Sequence, residues 1–171
     1  MARSAPLDQH ITHVRRVNDV LREYAGRGVF RSVSDGDRRA GTTSFTMVWH
    51  HGLVFRLVLD CSAGMVSFPA LLPGVPARSS MAKELKAFLG RFQTDDVPTH
   101  RRIDSTKARL RISIQSGNVS LALVVRNSEF EYATRRLVHL AQEVFMVFLP
   151  DGPYYDYRIE KLGLDPDSVW A

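Results

Sequence analysis

Residues 108–149 read ARLRISIQSGNVSLALVVRNSEFEYATRRLVHLAQEVFMVFL, a β-hairpin that feeds an amphipathic helix. Leu110, Ile112 and Ile114 alternate with Arg109, Arg111 and Ser113, the two-residue period of a strand with one buried face. Ser116-Gly117 suits a two-residue turn, because glycine tolerates positive φ. The turn then sets Ile114 opposite Val119, Ile112 opposite Leu121, Leu110 opposite Leu123 and Ala108 opposite Val125. Every pair on that face is apolar. The other face pairs Ser113 with Ser120, Arg111 with Ala122 and Arg109 with Val124. A slip of one residue would mix the two faces, so the pattern specifies the register. Ser128 with Glu131 three residues on has the form of a capping box. Phe130, Ala133, Leu137, Leu140, Ala141, Val144 and Phe148 then recur at helical spacing. Pro150-Asp151-Gly152-Pro153 ends the helix.

Outward from this stretch, residues 7–26 form a first helix with Leu7, Ile11, Val14, Val17, Leu21 and Tyr24 on one stripe. Val29 to Ser34 suggests a short edge strand, and residues 35–41 a polar loop. Residues 45–50 and 53–60 form a second hairpin, here read as turning on His51-Gly52. That register sets Phe45 opposite Val58, Met47 opposite Arg56 and Trp49 opposite Val54, with Val48, Phe55, Leu57 and Leu53 on the other face. Both faces are then largely apolar, and the face with Phe45, Met47 and Trp49 needs a cover. Met65 to Leu72 is a further strand, 79–92 a helix, and Thr99 to Asp104 a short strand. Tyr154, Tyr155 and Tyr157 fall in a short C-terminal helix, and Leu164 to Trp170 is expected to dock.

The expected class is α+β: an antiparallel sheet flanked by helices, in the order α-βββ-α-ββ-α, with a C-terminal helical appendage. Residues 1–149 form the domain and 150–171 the appendage.

The chain has 171 residues, enough to bury roughly 70% of the surface its unfolded form exposes. No apolar run approaches the roughly 20 residues of a membrane span, so no membrane role is expected. The first residues lack the apolar core of a signal peptide, and the lone Cys61 fits a reducing cytoplasm. The net charge of +5 permits an acidic protein partner or a nucleic acid without requiring either.

Catalytic signals are absent from the sequence. It holds no phosphate-binding glycine loop, no His-Glu-x-x-His helix and no paired CxxC. His10 with His13, and His50 with His51, are weighed as metal ligands. The first pair lies off the apolar stripe and the second points to opposite faces, so no metal and no cofactor is expected. Cys61 at a strand end reads as packing, and Asp95-Asp96 as solvated turn residues. Arg101, Arg102, Lys107, Arg109, Arg111 and Arg126 can form one basic patch, although no aromatics accompany them for base stacking.

Three stretches, Ser44 to Phe68, residues 79–98 and residues 108–149, together resemble type III secretion chaperones and YbjN-type proteins in pattern and element order. The resemblance implies a non-enzymatic, cytoplasmic, often dimeric protein that holds an extended segment of a partner protein. The expected peptide-binding or dimer surface is Phe45, Met47, Trp49, Val54 and Val58, with Arg56, Arg109 and Arg111 as contacts to an acidic partner. A nucleic-acid-associated regulator that uses the basic hairpin is the alternative.

Overall fold

The computed structural model describes residues 5–164 apart from 40, 51 and 152. Six strands build one antiparallel sheet: β1 (Ser32–Arg39), β2 (Thr42–Trp49), β3 (Leu53–Asp60), β4 (Met65–Leu72), β5 (Ala108–Gln115) and β6 (Asn118–Val125). Their order across the sheet is β1-β2-β3-β4-β6-β5. Helix α1 (Ala5–Gly26) precedes the sheet, and α2 (Ser80–Gly90) joins β4 to β5. Helix α3 (Phe130–Glu143) follows β6 and runs through a π-helical turn, Val144–Phe148, into α4 (Leu149–Asp151). A last short helix is α5 (Tyr155–Glu160). The α+β class and the helix, strands, helix, strands, helix order are those expected. The first block holds four strands rather than three. Residues 99–104, expected as a strand, form turns, with the Arg101 and Arg102 N–H groups donating to the Pro98 carbonyl.

The β5–β6 hairpin has the expected register, from Ile114 opposite Val119 to Ala108 opposite Val125. Ser116 and Gly117 take φ of 51° and 78°, the two positive values that a tight hairpin turn with matching twist needs. Helix α2 starts as a serine cap requires: Ser79 Oγ accepts from the Ala82 N–H at 3.2 Å.

The β2–β3 hairpin differs from expectation by one residue. Trp49 pairs with Leu53, Met47 with Phe55, Phe45 with Leu57 and Ser44 with Val58. The loop therefore starts at His50, which takes φ of 45°. The His50 ring stacks on Trp49 at 4.1 Å and on Phe145 of the π-helical turn at 4.3 Å. His50 thus lies outside the strand ladder, in a loop one residue longer than expected. With period-two alternation, the shift transfers every side chain of one strand relative to the other. Phe45, Met47, Trp49, Phe55, Leu57 and Leu59 now share one face and lie in the core; Met47 is 0% and Trp49 6% exposed. The expectation of a hairpin apolar on both faces, with Phe45, Met47 and Trp49 awaiting a cover, is thus overturned. Those three residues are covered within the chain itself.

Strand β1 also departs from expectation. It continues through residues 35–39, and a register shift between Asp35 and Arg38 takes up Gly36 and Asp37. Such a bulge keeps a polar stretch in the sheet while twisting its edge. The capping box at Ser128 is absent: Asn127 and Ser128 take positive φ, and α3 begins at Phe130 without a side-chain cap. The Asn127 side-chain amide instead donates to the Thr106 carbonyl at 3.1 Å.

The helices pack over the face that carries Phe45, Leu57, Val66, Phe68, Leu121 and Leu123, and one core cluster joins them to the sheet. Val14, Val17, Val20 and Leu21 bury the α1 face, whereas Ile11 is largely exposed and the Leu7 side chain is outside those described. The C-terminal segment docks through Tyr154, stacked on Phe148 at 5.0 Å, and through Tyr157, whose hydroxyl donates to the Pro73 carbonyl. Burial raises the Tyr157 pKa above the ordinary tyrosine value. Trp170 and the rest of the expected docked tail lie outside the described residues.

Met47→Ala, which removes atoms from a filled core, should cost about 2–5 kcal/mol. Val54→Lys, at a side chain 68% exposed, should stay within about 0.5 kcal/mol. Urea denaturation of the two variants checks the register directly, because the two-residue turn would expose Met47 and Val54 alike.

Candidate protein-binding face

With the core on one side, the other sheet face is open to view row by row. One row runs Ser44, Val58, Ser67, Ala122, Arg111 across β2, β3, β4, β6 and β5. The next runs Thr42, Asp60, Met65, Val124, Arg109. Beyond them lie Thr46 beside Arg56 and Val48 beside Val54. Small residues form the floor: Ser44, Ser67 and Ala122 are buried, and Val58 and Val124 half-buried. Arg56, Arg109, Arg111 and Val54 stand exposed above it. Of the eight expected site residues, the structure therefore gathers five, Val54, Arg56, Val58, Arg109 and Arg111, on one face and removes three to the core. Arg56 and Arg111 are three strands apart, about 14 Å across the sheet at the usual spacing, and offset by two residues along it.

The edge at β5 is chemically distinct from the edge at β1. The Leu110 N–H donates to Gln93 Oε1 at 3.2 Å, away from β6. Bond direction alternates along an antiparallel strand, so the N–H and C=O groups of Ile112 and Ile114 also point to the sheet edge. Leu110, Ile112 and Ile114 are only half-buried. This edge thus offers backbone groups, three apolar side chains on the helix side and Arg109 and Arg111 on the open side. The β1 edge carries Asp35, Arg38, Arg39 and a bulge, features that discourage pairing.

The remaining candidates separate. Arg101 leaves the expected basic patch to pair with Glu143 at 2.6 Å, and Arg102 turns to Asp95 at 3.2 Å. The Lys107 ammonium lies over the Tyr132 ring at 5.0 Å. Burial pushes the Cys61 thiol pKa up, with Asp60 adding to the shift, which suppresses the thiolate. His13, expected in solvent, packs against Phe130 at 4.6 Å, and burial lowers its pKa. No group of three His, Cys, Asp or Glu side chains among the described residues is placed to hold a metal. No helix among them is long and apolar enough to cross a membrane.

One cluster was not visible in the sequence. Glu143 Oε1 is shared by Arg101 and by His139 Nε2, at 2.6 and 3.2 Å. The His139 ring meets the edge of Phe92 at 6.0 Å. Burial lowers the His139 pKa, against the opposing pull of Glu143. Only the i, i+4 spacing of His139 and Glu143 hinted at the pair, and Arg101 reaches it from a turn distant in sequence.

No protein-family model matches the chain, and neither curated proteins nor solved structures give a match.

A histidine with a lowered folded pKa binds its proton more readily when unfolded, so stability is full above the unfolded value of about 6.5 and falls as pH drops below it. The thermal midpoint should decline between pH 7 and pH 5, and His139→Gln should flatten that decline, with His13 supplying the remainder. Calorimetry across this range checks it; an unchanged slope in the variant would contradict the assignment to His139.

Proposed function

We propose that the protein works by binding rather than by catalysis, as an adaptor that holds an extended segment of a partner protein along β5. The observation that carries this is the open β5 edge, with outward backbone groups at Ile112 and Ile114, apolar Leu110, Ile112 and Ile114 on one side and Arg109 and Arg111 on the other. An added strand gains main-chain hydrogen bonds, and alternate side chains supply specificity. The fitting segment alternates apolar residues, set beside the three aliphatic side chains, with acidic residues facing the two arginines. Arg56, Val54 and Val58 lie farther across the same open face and suit the flanking parts of a longer partner. The resemblance in element order to secretion chaperones and YbjN-type proteins points the same way, toward a cytoplasmic protein-binding role.

A nucleic acid is the second reading, favoured by the three arginines on one face, but the described outer rows carry no aromatic platform for bases.

The test uses a synthetic peptide of alternating valine and glutamate, followed by fluorescence anisotropy. Binding should weaken at least tenfold in Arg109→Glu/Arg111→Glu and should fall as salt rises. Ile112→Pro should stay folded, because an edge strand tolerates proline where its N–H faces outward, yet should lose the peptide. Arg111→Pro should unfold, since that N–H belongs to the ladder with β6. Peptide binding indifferent to Ile112→Pro would overturn the edge reading. Single-stranded DNA binding with a steep salt slope, in place of peptide binding, would transfer the face to the second reading. Sedimentation of the free chain reports whether a second copy occupies the edge instead.

A further inference from the structure

On the helix side, well away from β5, a cavity of about 220 Å³ opens between α1 and the β1–β2 edge of the sheet. Register places Asp35 beside Phe45 and Arg38 beside Thr43 on this face. Ile11, Val14 and Asn18 come down from one side of α1, with Arg15 at the margin. The walls are apolar where Val14 and Phe45 meet, both of them buried. The polar groups are unusual in being unsatisfied. Thr43 is 2% exposed and its hydroxyl has no hydrogen-bond partner; the Asn18 Oδ1 has none either. A buried polar group without a partner costs about 1–3 kcal/mol, and of these two only the Thr43 hydroxyl can donate to an anion. Charge narrows the ligand. His10, Arg15 and Arg38 line the cavity with one carboxylate, Asp35, which Arg22 approaches at 3.5 Å. The surplus is cationic and small.

We propose that this cavity binds a small organic monoanion, a carboxylate with a short apolar chain. The carboxylate sits toward Arg38 and Arg15, and the chain lies against Val14, Phe45 and Ile11. The unpartnered Thr43 hydroxyl donates to the carboxylate. Asp35 at the margin disfavours a dianion such as phosphate. The volume lies below the roughly 300–1,000 Å³ of drug-sized sites, which sets the ligand at only a few carbon atoms. The site stands independently of the β5 edge: it lies at the opposite end of the sheet and shares no residue with it.

Calorimetric titration of the full chain with sodium pentanoate tests the assignment, with pentan-1-ol and sodium phosphate as the other arms. Saturable binding of pentanoate, with neither of the others, is expected. Arg38→Gln should weaken it about tenfold. Thr43→Val should raise the thermal midpoint of the free protein, by removing the unpartnered hydroxyl, and weaken pentanoate by a similar factor. A raised midpoint with unchanged pentanoate affinity would make Thr43 a packing defect and overturn its role. Absence of saturable binding at 10 mM on the order used for weak ligands, which corresponds to about −3 kcal/mol, would overturn the site itself. Equal binding of phosphate would overturn the carboxylate class.

Discussion

The sheet's two-sidedness rests on the β2–β3 register, which sets Phe45, Met47 and Trp49 beside Leu57, Phe55 and Leu53 on one face. The loop that follows is held by the stack of His50 between Trp49 and Phe145. That register sends Phe45, Met47 and Trp49 inward together with Phe55 and Leu57. The π-helical turn at Val144–Phe148 matters for the same reason, since it carries Phe145 to the loop. Phe145 also meets Phe55 edge-on at 5.4 Å, and Phe55 meets Phe68 at 6.2 Å. An aromatic chain therefore runs from the end of α3 into the centre of the sheet. Edge-to-face pairs of this kind add about 0.5–1.5 kcal/mol each beyond their buried area.

Once the bulk is inside, the outside must be made of small and polar residues, and it is. Ser44, Ser67 and Ala122 are covered by their longer neighbours alone, and no aromatic side chain rises from the described outer rows. The two sheet edges then diverge in character: a bulge and charges at β1, and regular hydrogen-bonding geometry at β5. On the open face this leaves the backbone groups of β5 as the feature a strand can use.

What was legible in the sequence was what is local. The β5–β6 register follows from a two-residue Ser-Gly turn and strict alternation, both contained within eighteen residues, Ala108 to Val125. The Ser128 capping box was equally local and did not form, because Asn127 and Ser128 take positive φ and α3 starts at Phe130. The β2–β3 register was legible in the segregation of faces but not in the turn. A two-residue turn on His51-Gly52 sets Met47 opposite Arg56 and mixes the faces, whereas the longer loop pairs Met47 with Phe55 and sends Ser44, Thr46 and Arg56 outward together. The strand at 35–39 was hidden by its polar composition, which a bulged edge accepts. Of the site, Arg109 and Arg111 could be placed because their hairpin could be. The cavity under α1 could not be anticipated, since Thr43, Asn18 and Arg38 are unremarkable singly and only the β1–β2 pairing assembles them.

The arginines on β5 bear on a tension common to all open edges. A strand able to accept a partner is also able to accept itself, and charged side chains are the usual deterrent. Here the deterrent is of one sign, and the chain as a whole carries +5. A second copy brings more positive charge to the edge, so its approach is opposed at long range. An acidic segment meets attraction at the same distance and, at low salt, arrives faster. On the reading proposed above, Arg109 and Arg111 would act in both directions, opposing a second copy at Ile112 and Ile114 and favouring a strand of opposite charge. Selectivity obtained by repelling the wrong partner needs no shaped pocket, which is consistent with an edge that offers only aliphatic side chains and main chain.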